Sequence, residues 1–215
     1  MIHFHNVSKR FGEKVVLNEV SFSIERGYIY GMIGENGYGK TTIINLIMGH
    51  KQPNKGTVHL DDIKIEYIND HASLYGDTLE DTVKFYKLAD KTFDEEVFLK
   101  IISDYNIDYK DSIKGLSKGI LRVIRTAFAI STKCDILIID ELLDGLDVKK
   151  RDVILKQLFE YKTDEMSILI VDHNLKDIEQ ILDRVLFVKD NKVNQHNEVM
   201  KIYEEFEGLD NFFKN

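Results

Sequence analysis

Between an apolar run, Tyr28 to Ile33, and an amphipathic stretch from about Lys40 to Met48 stands Gly34-Glu35-Asn36-Gly37-Tyr38-Gly39-Lys40-Thr41. It fits the pattern G-x-x-x-x-G-K-[ST] at every fixed position. The pattern demands a strand, a glycine loop and a helix in that order. Glycines let the backbone curl until successive N–H groups point inward, and the helix start adds the positive end of its dipole. Such a loop cradles phosphate oxygens. Lys40 is expected to reach the β- and γ-phosphates of a nucleoside triphosphate, and the Thr41 hydroxyl to join the shell of a Mg²⁺ ion.

The rest of the chain suits that constraint. Residues 2–7 and 15–24 alternate apolar and polar side chains, and short strands are expected near 57–60 and 63–68, beyond the turn opened by Pro53, the single proline. From about 78 to 131 the spacing turns helical, with Leu79, Val83, Tyr86 and then Val97, Ile101, Ile102 at three-to-four intervals. Strand 136–139, helix 148–161, strand 167–171, helix 174–182, strand 185–188 and one last strand follow. Alternating apolar strands and helices predict a parallel sheet covered on both faces, with a helical side lobe inserted between two of its strands.

Composition removes several alternatives. The formal net charge is −8 with no Lys/Arg-dense block, which argues against nucleic acid as the main partner. No apolar stretch approaches the roughly 18 residues of a membrane helix, and residues 1–6 lack the cationic start of a signal peptide. Cys134 is the only cysteine, so disulfides play no part and a reducing compartment is expected. These features describe a soluble, cytoplasmic single domain. His3 and His5 share one strand face without a third ligand nearby in sequence and are read as surface residues; Cys134 is read as a small, partly buried one.

The partner carboxylates lie where Ile136-Leu137-Ile138-Ile139-Asp140-Glu141 leaves the sheet. Asp140 suits a Mg²⁺ role through water, and Glu141 suits polarising a water for attack on the γ-phosphate. Upstream, Leu116-Ser117-Lys118-Gly119-Ile120 opens the helix that leads into that strand, with Ser117 as its cap. With these three elements the chain resembles the ATP-binding-cassette (ABC) ATPases, the nucleotide-binding subunits of ABC transporters, over about residues 2–213. The string 116–120 is similar to the family signature LSGGQ. Lys118 in place of glycine resembles the LSKG variant of bacterial drug- and antibiotic-export cassettes; Ile120 replaces the usual glutamine.

The resemblance implies an α/β fold: a P-loop NTPase core with a parallel sheet, an antiparallel β subdomain near the N-terminus and a small inserted helical subdomain. The core would comprise about 1–69 and 132–215 and the helical lobe about 70–131. It implies ATP and Mg²⁺ as ligands, with Gly34, Glu35, Asn36, Gly37, Tyr38, Gly39, Lys40, Thr41 and Thr42 around the phosphates. Ser117 and Gly119 would contact the ATP of a second subunit, a homodimer partner or close paralogue. Asp140-Glu141-Leu142-Leu143-Asp144-Gly145-Leu146-Asp147 is similar to DEPTSGLD, with Leu142 where the family has proline. His173 matches the switch histidine that orients Glu141 and the water. Phe11 matches the aromatic that stacks on adenine, its other reading being a residue that packs the first hairpin. Asp70 falls where the family has glutamine or glutamate; contact with the metal through water and a plain surface role both stand. The expected partner is a separate transmembrane permease, contacted through the helical lobe and the loop 70–79 at the cytoplasmic face of the membrane, with export favoured over uptake. The other reading is a non-transport or weakly hydrolysing regulatory cassette.

Overall fold

The computed structural model describes residues 1–71, 73–141, 148–172, 179–196, 198–206 and 209. In chain order the strands are β1 (Ile2–Phe11), β2 (Lys14–Ile24), β3 (Ile29–Ile33), β4 (Lys55–Leu60), β5 (Ile65–Asn69), β6 (Ile136–Asp140), β7 (Ser167–Asp172), β8 (Arg184–Lys189) and β9 (Lys192–His196). The helices are α1 (Lys40–Ile47), α2 (Leu79–Ala89), α3 (Glu95–Ser103), α4 (Lys118–Ser131), α5 (Val148–Tyr161) and α6 (Val199–Phe206). An antiparallel sheet has the order β2-β1-β4, and a second sheet the order β5-β6-β7-β3-β8-β9, parallel except for β9.

Period-two alternation assigns each apolar side chain of the large sheet to one of two cores. Tyr30, Met32, Ile136, Ile138, Leu169 and Val171 face α1 and the antiparallel sheet, where Ile2, Phe4, Phe22 and Ile43 bury. Their neighbours Ile29, Ile33, Leu137, Ile139, Ile168 and Ile170 face the helices that carry Phe98, Ile124, Phe128 and Ile154. With both faces covered, these strands are apolar throughout, as the sequence run Ile136–Ile139 foretold.

The helical stretch expected from 78 to 131 resolves into α2, α3 and α4, each started by a capping side chain. Thr78 forms a reciprocal capping box with Asp81, Asp94 accepts from Val97 N, and Ser117 accepts from Ile120 N. Phe128 of α4 stacks on Phe98 of α3 at 4.2 Å and on Tyr86 of α2 at 4.5 Å, so one aromatic cluster joins the three helices. Two expectations need amendment. The strands near 57–60 and 63–68 form, but in different sheets: β4 pairs with β1, while β5 becomes the edge beside β6. A further helix, α6, also follows β9, and its Val199 and Ile202 are buried. The helix expected over 174–182 lies mostly outside the described residues; Glu179–Ile181 is a 3₁₀ turn.

Glu66 on β5 is half-buried near Tyr86 and Cys134, and burial pushes its carboxyl up to about 7, with Lys64 acting against the shift and Asp90 adding to it. The folded-state value lies above the unfolded one, so its contribution to stability is fully present below the unfolded pKa of 4.5 and is lost as pH rises through about 7. Glu66→Gln is therefore expected to match the parent near pH 4 and to exceed it by about 3 kcal/mol at pH 8. Urea unfolding followed by circular dichroism across that range checks this, and a pH-independent difference would refute it.

Candidate nucleotide site

Strand register gathers the site. Ile33 of β3 lies beside Asp172 of β7, Val171 of β7 beside Asp140 of β6, and Asp140 beside Asn69 of β5. Four strand ends thus share one carboxyl edge, the usual ligand edge of such sheets. The loop 34–39 leaves β3 at that edge and enters α1. Gly39 is the N-cap of α1 with φ 112°, and a Cβ there would meet Val16 Cγ1 at 3.0 Å. A Cβ on Gly34 would meet the Val188 carbonyl at 2.4 Å. Both glycines are therefore required by backbone angle or close approach.

Lys40 is 6 % exposed, and its ammonium folds back to donate to the Gly34 carbonyl and, at 3.4 Å, to that of Glu35. Burial lowers its pKa, while the charges of Glu141, Asp172 and Asp140 oppose that shift. These three acids and one lysine form the electrostatic centre of the edge. Asp140 is half-buried, and burial raises its pKa against the hydrogen bond it accepts from Tyr67 and the attraction of Lys40, with Glu141 and Asp172 adding to the rise. Glu141 is exposed, takes φ 53° and donates its N–H to the Val171 carbonyl at 3.0 Å. A non-glycine residue held there is costly, and such positions gather at functional sites.

The remaining expected residues take up mixed positions. Glu35, Asn36, Gly37 and Thr41 are exposed, and Tyr38 and Thr42 half-buried, so the loop is open to a ligand. Phe11 sits at the tip of the β1–β2 hairpin, 46 % exposed, with Lys9 Nζ over its ring, 5.3 Å from the ring centre. Ser117 is exposed at the head of α4, and Gly119 half-buried beside it. His173 and the segment 142–147, with Leu146 and Asp147, lie outside the described residues.

Asp70 is paired with α4 in this structure. Its carboxylate is gripped by Arg122 of α4, Nε donating at 2.5 Å to Oδ1 and Nη2 to Oδ2, with Arg125 at 4.0 Å. The Arg122 hydrogen bonds hold its pKa below the usual carboxylate range. Both oxygens are thus committed to α4, and the acids around Lys40 are Glu141, Asp172 and Asp140 instead.

Two residues of this edge escaped the sequence reading. Asp172 is 4 % exposed and ends β7, which lies between β3 and β6; an acid closing the apolar run Ile168–Val171 was its only signal. Tyr67 hydrogen-bonds Asp140, a contact set by the pairing of β5 with β6 and invisible in one dimension. His3 and His5 stack at 6.1 Å, and His59 of β4 supplies a third ring 6.4 Å from His3, yet no group of three or more His, Cys, Asp or Glu among the described residues is placed to hold a metal ion. Cys134 is buried, its thiol pushed up to about 12 by burial, consistent with a packing role.

The donor set fits a Mg²⁺-nucleotide. A glycine loop entering a helix start and a buried ammonium would suit phosphate, and hard oxygens such as those of Thr41 and Asp140 would suit the metal.

A family comparison supplies the class. The chain belongs to the family described as ABC transporter, matched over residues 17–144, and is an ABC transporter ATPase. It is 34 % identical over 209 residues to an uncharacterised ABC transporter ATP-binding protein of Methanocaldococcus jannaschii, covering 94 % of this chain and 79 % of that protein. It is 34 % identical over 191 residues to the zinc import ATP-binding protein ZnuC of Rickettsia bellii (86 % and 82 %), and 28 % identical over 212 residues to the Nod factor export ATP-binding protein I of Burkholderia orbicola (89 % and 68 %). A solved ATP-binding subunit of an ABC transporter has the same fold, with TM-score 0.81, 22 % identity and coverage of 96 % and 93 %. ATPase subunits of this family pair with a transmembrane permease, and no helix among the described residues is long and apolar enough to cross a membrane.

Proposed function

We propose that the chain hydrolyses ATP to drive export of a substrate through a separate permease, working as one of two cassettes. The observation that carries this reading is the shared strand edge where Lys40, Asp140 and Glu141 converge while Ser117, the signature serine, caps α4 in the open. An exposed helix start with a capping hydroxyl is a half-site for phosphate, completed when a second cassette faces it head to tail. Lys40 holds the β- and γ-phosphate oxygens, Thr41 and Asp140 hold Mg²⁺, and Phe11 offers its ring to adenine. The metal, when bound, neutralises phosphate charge. Glu141, with His173, orients a water and takes its proton as that water attacks the γ-phosphate. Closure around ATP is a population shift, because both cassettes touch the nucleotide only when together. Export is favoured by Lys118 in the signature, and the mixed import and export names of the relatives leave that residue as the support for direction.

An exposed apolar patch supports a permease contact on the helical lobe. Tyr75 stacks on Phe85 of α2 at 4.1 Å although the two are 52 % and 41 % exposed, and Leu88 of α2 is 87 % exposed. A tagged chain is expected to bring down one membrane polypeptide from gently solubilised cells. The double variant Tyr75→Asp/Phe85→Asp should lose it while binding ATP normally; retention of the membrane partner would displace the contact from this surface. A weakly hydrolysing regulatory cassette is the second reading, favoured by the commitment of Asp70 to Arg122. Steady-state phosphate release by the purified chain, alone and with that partner, separates the two.

A further inference from the structure

Asp140 is the end of a hydrogen-bond chain that begins in the loop after β5. Tyr67 Oη donates to Asp140 Oδ2 at 2.9 Å. Asn69 Nδ2 donates to Tyr67 Oη at 3.0 Å, and Asn69 Oδ1 accepts from the His71 N–H at 2.9 Å. The direction of each bond is forced. A carboxylate only accepts, so the single phenolic proton goes to Asp140; the Tyr67 oxygen must then accept, and an amide N–H₂ supplies that bond. The backbone N–H of His71 in turn fixes which end of the Asn69 amide faces Tyr67. β5 and β6 are in parallel register, with Tyr67 beside Ile138 and Asn69 beside Asp140, so both donors reach the carboxylate edge from one neighbouring strand.

We propose that Tyr67, oriented by Asn69, is a positioning residue that fixes the Asp140 carboxylate for the metal. The inference rests on the assignment of Asp140 to the Mg²⁺ shell. Holding Oδ2 stops the carboxylate from rotating and leaves Oδ1 to the metal or its water, as outer-shell donors do for metal-binding carboxylates. The chain also ties the metal carboxylate to the loop 70–78, so a displacement of that loop pulls on the Asn69 amide before it reaches Asp140.

Calorimetric titration with ATP in Mg²⁺ and with ATP in EDTA tests this, the ratio of the two affinities being the readout. Tyr67→Phe removes one oxygen and keeps the packing; it is expected to cut the Mg²⁺-dependent gain about tenfold and leave metal-free ATP affinity unchanged. Asn69→Asp keeps the acceptor for His71 but presents a carboxylate to Tyr67, competing with Asp140 for its proton, and should reduce the gain at least as much. Asp140→Asn is the control. If it leaves the gain intact, the metal assignment of Asp140 fails. If it abolishes the gain while Tyr67→Phe and Asn69→Asp do not, the positioning role fails. A Tyr67→Phe protein that melts lower with an unchanged ratio likewise makes Tyr67 structural and overturns the inference.

Discussion

Replacing Glu141 by glutamine is expected to lower ATP turnover by 100-fold or more while ATP binding survives. The substitution keeps the shape and the N–H bond to Val171 O but removes the one exposed carboxylate, among the described residues, of the cluster around Lys40. A general base contributes about 10²–10⁴ to such a reaction, and a neutral amide takes no proton from water. Asp140 and Asp172 do not substitute for it, since both are more buried and flank Lys40. Binding that outlasts chemistry should hold two chains around the nucleotide. Gel filtration with ATP is therefore expected to show Glu141→Gln as a dimer and the parent as a monomer after turnover. An unchanged phosphate-release rate would remove Glu141 from the mechanism.

Lys40→Ala is expected to weaken ATP binding about 100-fold, which corresponds to about 2.7 kcal/mol. The loss comes from two sources. Among the described residues the ammonium is the cation whose charge acts on Asp140, and it makes the charge-assisted bonds that phosphate would share. Without it, Asp140, Asp172 and Glu141 face incoming phosphate with like charge. Because Lys40 is buried, Lys40→Met serves as a second variant that restores volume without charge. Both should show that weakened ATP affinity in calorimetry while keeping the parental far-ultraviolet spectrum. Parental affinity in a folded Lys40→Met protein would reject the site.

The legibility of this protein in one dimension follows the range of the interactions. Local rules sufficed for the loop 34–41, for the cap at Ser117 and for α5, because each depends on residues a few positions apart. They sufficed also for the two-sided burial of β6, since an unbroken apolar run has no polar face to expose. They gave no sign of the partner of Asp70: the family likeness left it between water-mediated metal contact and a surface role, and Arg122, distant in sequence, brings a guanidinium whose fork matches both its oxygens. α6 spans only eight residues, too few for helical periodicity to mark it.

The sequence by itself determined the chemistry on offer at this edge: a glycine loop between strand and helix, the lysine and carboxylates beside it and, through the family likeness of the signature, the expectation of a second cassette. Only the tertiary structure decided which groups meet. Strand order placed β7 between β3 and β6 and so brought Asp172 into the field of Lys40. Parallel register set Asn69 beside Asp140 and completed the chain through Tyr67, and helix packing turned Asp70 away to Arg122. The reason is physical: a side chain's reach is a few ångströms, so its type is written locally, while its partner is chosen by pairing and packing between segments far apart in the chain.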